Sequence, residues 1–548
     1  MLIAAAAAMF AACQQEDVVI DQSSNLEKAI GFTTYTPSVT RAENSSATKT
    51  FGLENYYNQF RVWGYKNIKN NSASGSTDTY TSTPVFAGAD TKDVVTYDES
   101  NTGTFKDYKW AYTPVRYWDK TATNYDFYAY TPATLASGYG TWAYTDQNSD
   151  YVNDTADPKT KNPSYFTLKD AKVTGESLPI NNEVTGQTDV NTDKKADDAF
   201  KIDQDYMIAT DIHGYKAYAN PVNFHFNHIL SRLNIGVKTT VDYDNTNGSG
   251  IVILESVKVF NLTSNGNFDE SLKSGSDLSE GTVGRWSDAT ATATKFTTGI
   301  GYPNTQVTAK ANTVAGNTVN GLFISTALAK EAVDGVNPAM DADEYKYVFQ
   351  GLIIPQTVAW KQLAEDGSDL DKDNDVYVEI KYNIDGEGFR AIYNLADIFT
   401  SNIHFKDSKG HTAYRTWDST VDIYMDNSSK FYTKDSETAL ADGDVIMFDG
   451  TNYYKSNGTT QIYQDGSNKF YSDAACTTAL DSQPSYILKI EKGTMVPVML
   501  SDVAGMKDLN FNEGWQNTLN ITISPVAILF DADVYEWVTD KEADVTVQ

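Results

Sequence analysis

Four aspartates stand at alternate positions in "DLDKDNDVYVEI": Asp369, Asp371, Asp373 and Asp375. Carboxylates at that spacing begin a calcium loop, which also needs a glycine for its sharp turn and a closing glutamate that binds through both oxygens. Asn374 stands in the glycine's place and Ile380 in the glutamate's, so the stretch reads as an acidic, solvated turn between strands. His225 and His228 in "HFNHIL" are three apart, and no further zinc ligand is spaced near them. They read as packed or hydrogen-bonded histidines. With five histidines in all, general bases are scarce. The chain has no Gly-x-Ser-x-Gly elbow, no phosphate loop and no Gly-x-Gly-x-x-Gly. Its 73 acidic residues include no pair whose spacing marks it for glycoside chemistry. The expectation is therefore no enzyme, no cofactor and no metal.

Two other residues suggest covalent chemistry done to the chain. The opening "MLIAAAAAMFAACQQED" sets a short apolar run and two alanines before Cys13, then turns polar and acidic. The run is too short to span a bilayer and reads as a signal peptide. Small residues before the cysteine resemble a bacterial lipobox, which would make residues 1–13 the signal and Cys13 the acylated new N-terminus. The alternative is a buried helix of the mature protein. Cys476 is the other cysteine and would be left alone, so no disulfide framework is expected. Arg41 lies in the polar stretch "SVTRAENSS", between one predicted strand and the rest of the chain. There it is either an exposed cut site, before Ala42, or an incidental surface arginine.

The elements that would carry these residues read as strands. At 548 residues the chain has core for two to four domains of ~150 residues each. Tyr, Phe and Trp make up 12% of it, and abundant Thr and Val favour sheet. Strand-like runs such as "YYNQFRVWGY", "NYDFYAYTP", "YVFQGLIIPQTVAW" and "NTLNITISPVAILFDADVYEW" are separated by clusters of Asn, Gly, Ser and Asp, which suggests β-sandwiches. A soft domain boundary falls near residue 240. A net charge of −30 removes the basic footprint that nucleic acid needs. Between about 401 and 500, "IYMDNSSKFYTKDSETAL" (423–440) recurs as "IYQDGSNKFYSDAACTTAL" (462–480). This is a small tandem β insertion, a knob or a layer on its host domain.

The densest aromatic stretch is "AYTPVRYWDKTATNYDFYAYTP" (111–132). In it Tyr125, Phe127 and Ala129 alternate with Asp126, Tyr128 and Tyr130. Trp118, Tyr125 and Phe127 are expected in the core, where each large ring buries ~150–250 Å². An exposed platform for sugars is the competing reading.

Several of these pieces, in order, resemble the Bacteroidales fimbrillins, the type V pilin subunits. They are the acylated cysteine, "AIGFTTYTPSVTRA", Trp118-Asp119 followed by the Tyr125–Tyr130 run, the His228-Ile229-Leu230-Ser231-Arg232-Leu233 block, "GLIIPQT" and "ITISPVAILFDADVYEW". The resemblance covers most of the chain outside 401–500. It implies an all-β lipoprotein of two tandem transthyretin-like β-sandwich domains, here 42–240 and 241–548, with the small repeat insertion in the second. Residues 14–41 would be a tether and a removable first strand.

The resemblance also implies a life history. The precursor is held at the outer membrane by its lipid. A trypsin-like maturation protease cuts at Arg41–Ala42, and the groove opened by loss of residues about 29–40 is filled by a strand of another fimbrial subunit, self or related. The product is a cell-surface fimbrium that supports adhesion to host or bacterial surface ligands. In "VAILFDADVYEWV" (526–538), Ile528, Phe530, Ala532 and Val534 form one face of an extended strand and are the expected donor residues. The competing reading makes them a permanent strand of their own domain. A surface glycan-binding lipoprotein using exposed aromatics is the alternative function.

Overall fold

The structure is a computed structural model that describes, with short interruptions, residues 28–35, 53–146, 164–175, 205–272, 285–324 and 345–536. Among these residues there is one α-helix, α1 (Leu395–Asn402), and otherwise strands and turns. No helix among them is long and apolar enough to cross a membrane. The strands used below are β1 (Phe32–Tyr35), β2 (Gln59–Lys69), β3 (Asn124–Thr131), β4 (Val222–His228), β5 (Ser231–Thr239), β6 (Trp515–Ile523) and β7 (Ile528–Glu536).

The N-terminal part is built on a nine-stranded sheet. Its order is β1, β4, Met207–Ala209, β3, β2, Val94–Tyr97 and Trp110–Ala111, with Tyr80–Ala87 also paired to β2 and Ile212–Tyr215 to β3. Along β4 the burial alternates as the sequence does, with Val222, Phe224 and Phe226 inward and Asn223 and Asn227 exposed. On β3, by contrast, both faces are covered. Tyr125, Phe127 and Ala129 enter one core with Phe32, Phe60, Phe224 and Phe226. Tyr128 and Tyr130 enter another with Trp63, Phe166, Phe268 and Trp286. A strand with two buried faces explains the aromatic density of 124–131, because alternate residues no longer need to be polar.

The second of these cores is closed by a sheet of Thr141–Thr145, Tyr165–Lys172, Asn265–Asp269 and Trp286–Asp288. Two of its strands precede β4 and two follow β5, so the halves of the chain share a sheet. That departs from two separate tandem sandwiches. The change of sheet also falls earlier than residue 240. β5 runs parallel to β6 and antiparallel to Lys346–Ile353, so it belongs with the C-terminal strands, and the crossing is at the buried pair Ile229–Leu230. Apolar residues alternate with others on both sides of that pair, through Val222–His228 and Ser231–Val237, so the composition shows no break there.

The C-terminal part packs the sheet of Lys346–Ile353, β5, β6 and β7 on a sheet centred on Val252–Thr263 and Tyr377–Ile384. Leu233, Ile235, Leu519 and Ile521 meet Leu254, Val257 and Ile380 between them. α1 adds Leu395, Ile398 and Phe399 to this core, and its first turn is capped by Asn394, whose side chain accepts from the Asp397 amide at 3.0 Å.

The insertion leaves and returns at one neck. The Phe405 amide donates to Val498 at 2.7 Å, and the Leu500 amide to Ile403 at 2.8 Å. Beyond it, a three-stranded and a six-stranded sheet enclose their own small core of Ile423, Val445, Met447, Leu488 and Ile490. The sequence repeat is a repeated hairpin. Asp426 accepts from the amides of Ser428 and Lys430 and from the Tyr432 hydroxyl. Asp465 does the same with Ser467, Lys469 and Tyr471. Asp449 organises a third turn with Thr451, Asn452 and Tyr454. Its aspartate-to-aromatic spacing is one residue shorter, which hides it from the sequence repeat.

Candidate functional site

The feature with functional content is the seat of β1. This four-residue strand lies at the edge of the N-terminal sheet and pairs in parallel with β4, Phe32 opposite Val222 and Thr34 opposite Phe224. Just before it, the Ile30 amide donates to Arg116 at 2.9 Å and the Trp118 amide to Lys28 at 3.2 Å, so the segment is gripped between β4 and the 112–118 stretch. Ile30 and Phe32 are both 0% exposed. The Phe32 ring is surrounded by Phe60, Phe86, Tyr112, Phe127 and Phe224 at centroid distances of 5.5 to 6.1 Å.

The 112–118 stretch is itself held in place. Arg116 is paired with the buried carboxylate of Asp93 and lies over the Phe86 ring, 4.5 Å from its centroid. Asp93 also accepts from the Gly88 amide at 2.9 Å. The Tyr112 hydroxyl donates to the Ile30 carbonyl at 2.8 Å, and burial pushes its pKa far above the usual phenol range, so it remains a donor. Tyr108 lies against Gly31, with ring atoms 2.6 Å from where a Cβ on that glycine would stand. Sequence reasoning missed Tyr108, Tyr112, Arg116 and Asp93. Only their distance from residues 30–32 along the chain hid them.

Trp118, Tyr125 and Phe127 lie in this same core, 3%, 0% and 0% exposed, with the Trp118 ring edge-on to Tyr125 at 4.7 Å. Buried rings present no face to a sugar, so these three do not form an exposed platform. Cys13, Arg41 and Ala42 lie outside the described residues.

The expected donor residues are placed together on the C-terminal sheet. β7 is an edge strand paired along its length with β6: Ile523 opposite Ile528, Ile521 opposite Phe530, Leu519 opposite Ala532 and Asn517 opposite Val534. All four side chains face the C-terminal core, and Phe530 meets Tyr393 edge-on at 4.7 Å. In this chain the segment therefore occupies its own domain's sheet.

The candidates for metal chemistry are not brought together. His225 and His228 are an odd number of residues apart on one strand and so point to opposite faces. His225 contacts Asn223 at the surface, whereas His228 Nδ1 lies 2.8 Å from the buried Asp205 carboxylate. The aspartate run is a turn tied down by Lys361, which donates to the Asp369 carbonyl and the Asp375 carboxylate at 2.6 Å each. Among the described residues no three His, Cys, Asp or Glu side chains are grouped to hold a metal ion.

A half-buried polar cluster lies where the two halves of the chain meet, with the His213 side chain 48% exposed. His213 sits 3.5 Å from Asp126 and 3.8 Å from Asp211, and hydrogen bonding to these two carboxylates raises its pKa to about 9. Glu270, which accepts from the Phe166 amide at 2.8 Å, is pushed up to about 8, by burial first and the Asp211 charge second. Nearby, Arg285 forms a two-pronged ion pair with Glu513, donating from Nε at 2.9 and 3.1 Å.

No protein-family model matches the sequence, and no curated protein matches it. Solved structures that match the chain include a fimbrial protein from Bacteroides vulgatus, with a TM-score of 0.36 and 12% identity over 93% of this chain and 99% of that one. They also include a putative cell adhesion protein from Bacteroides uniformis, with a TM-score of 0.25 and 12% identity over 88% of this chain and 92% of that one. A third is the tip fimbrial protein Mfa3 from Porphyromonas gingivalis with C-terminal truncation, with a TM-score of 0.25 and 7% identity over 88% of this chain and 95% of that one.

Proposed function

We propose that the chain is a structural subunit of a cell-surface fimbria, exported as a lipoprotein on Cys13 and joined to its neighbours by strand exchange. A trypsin-like protease cuts at Arg41–Ala42, β1 leaves, and a strand of another subunit takes its place. The observation that carries this reading is the seat of β1, where a four-residue edge strand and the residues just before it deliver two fully buried side chains, Phe32 and Ile30, into an aromatic core.

The physics of such a strand is conditional on its tether. Uncut, β1 rebinds its groove as an intramolecular event at high effective concentration. A cut six residues beyond Tyr35 removes that advantage from everything before Ala42. Burial of Ile30 and Phe32 then stabilises the fragment by only ~1.5–3 kcal/mol per side chain. Once it leaves, β4 has unpaired backbone groups beside two apolar pockets, which is an edge that recruits another strand. The strand that this subunit offers to a neighbour's groove is β7, whose Ile528, Phe530, Ala532 and Val534 alternate on one face.

The test is uptake of a labelled peptide with the sequence of residues 28–40. Protein cut by limiting trypsin is expected to exchange its own fragment for the peptide, and uncut protein is not. A cut protein that retains its fragment and takes up no peptide would refute the reading.

A second reading, recognition of surface glycans, is favoured by one observation on the insertion. Trp417 is 43% exposed and leads an aromatic ladder through Phe448, Tyr453 and Phe470. Adhesion through this ladder would be lost on Trp417→Ala with assembly unaffected. Equal glycan-array binding by parent and variant would exclude it.

A further inference from the structure

We infer that the seat of β1 accepts only a strand with glycine between its two anchoring side chains, that Tyr108 enforces this, and that β7 of an identical copy is therefore not the donor. The inference rests on the strand-exchange reading and names its partner more narrowly.

Gly31 lies between the anchors Ile30 and Phe32 and is buried with them. Its backbone is not in the left-handed region, so conformational freedom does not explain the glycine. Space does. A Cβ there would stand 2.6 Å from both Cδ2 and Cε2 of Tyr108, closer than real Cβ atoms approach anything. The root of the tyrosine is fixed. The amides of Tyr108 and Lys109 both donate to the Phe105 carbonyl, at 3.0 and 2.8 Å, and the Asp98 amide donates to Lys109 at 2.8 Å. Phe105 is buried against Tyr112, with ring centroids 4.8 Å apart. A side chain between the anchors therefore has to displace the ring itself.

This excludes the chain's own C-terminal strand. The run 526–538, "VAILFDADVYEWV", contains no glycine, so in either direction and in any register it sets a side chain against Tyr108. In the register that seats Ile528 and Phe530 where Ile30 and Phe32 sit, Leu529 meets the ring. The fitting donor carries a large apolar residue, a glycine and an aromatic residue in succession. β7 of an identical copy therefore does not fill this seat.

The experiment has two arms. In the uncut chain, Gly31→Leu and Tyr108→Ala are made singly and together. Gly31→Leu is expected to lower Tm, and Tyr108→Ala to recover most of that loss in the double variant; strictly additive losses would overturn the clash. In the trypsin-cut protein, labelled peptides compete for the groove: residues 28–40, the same peptide with Gly31→Leu, and residues 524–536. The parent is expected to bind the glycine peptide at least about tenfold more tightly than the other two, the scale of a modest overpacking penalty. In Tyr108→Ala the gap should fall below about threefold. Equal binding of all three peptides by the parent overturns the selectivity and leaves strand exchange standing. No binding of any peptide refutes strand exchange, and the inference with it.

Discussion

The Phe32 ring stacks on that of Phe224, with centroids 5.7 Å apart and planes 15° apart. One ring belongs to the edge strand and the other to the strand it pairs with in parallel. The contact is thus both core packing and the attachment of a detachable element. Phe32→Ala leaves a cavity among five aromatic rings, where a Phe truncation costs about 3–5 kcal/mol. The expected result is a chain that still folds its C-terminal half but loses β1 before any cut. Hydrogen exchange would show it as collapsed protection of the β4 amides, with β6 amides unchanged. Retained protection along β4 would mean that β1 is held by its backbone alone.

Lipidation is independent of the fold. If Cys13 is the acylation site, Cys13→Ala should leave an unprocessed precursor that takes up no labelled fatty acid. Labelling equal to that of the parent would exclude the lipobox.

The cluster joining the halves predicts a pH dependence. Glu270 has a folded pKa of about 8 against an ordinary value of 4.5, and burial is the main cause. The folded state therefore holds a proton that the unfolded chain releases above pH 4.5. Its stabilising contribution is fully present below that pH and is lost as pH rises to 8. His213, raised from 6.5 to about 9, acts in the same sense over its own window. Glu270→Gln keeps an oxygen for the Phe166 amide but cannot ionise. Parent and variant should have equal Tm at pH 4, and the variant should be the more stable at pH 8. A gap that does not change with pH would show that Glu270 keeps an ordinary pKa.

The insertion should be removable at its neck. Phe405 and Val498 are hydrogen-bonded neighbours, so a short Gly-Ser link can replace residues 406–497. A narrower cut at 418–485 would strand Leu488 and Ile490, whose partners Ile423, Val445 and Met447 would be gone. The neck deletion is expected to retain one cooperative unfolding transition. Its loss would place the repeats in the host core.

What was legible in the sequence followed from period and turn chemistry. The alternation of Val222, Phe224 and Phe226 set the inward face of β4, and the 39-residue recurrence of Phe431-Tyr432 at Phe470-Tyr471 marked two hairpins that the structure builds alike. What was hidden depends on contacts between distant residues. The second buried face of β3 exists because Phe166 and Phe268 cover it. The change of sheet at Ile229–Leu230 exists because β5 pairs with β6, nearly 300 residues later. The fit of Tyr108 on Gly31 is of the same kind.

The last prediction asks whether β7 can leave its sheet. Asn520 and Asp531 are directly opposed across β6 and β7, and opposed residues of an antiparallel pair have Cα atoms about 4.5–5.5 Å apart, within reach of a disulfide. The pair Asn520→Cys and Asp531→Cys would lock the strand in place when oxidised and free it when reduced. The acceptor is trypsin-cut Tyr108→Ala protein that carries the same two cysteines, so that its own β7 is locked and freed together with the donor's, and its groove should tolerate Leu529. Mixed with it, the reduced lock variant is expected to form dimers visible on a gel run without boiling. The oxidised form should not, because nine paired residues cannot peel away while the sheet is cross-linked. Addition of reductant should restore the dimer within the same sample. Dimers that form equally well with the lock closed would show that β7 stays in its own sheet and that another segment is the donor.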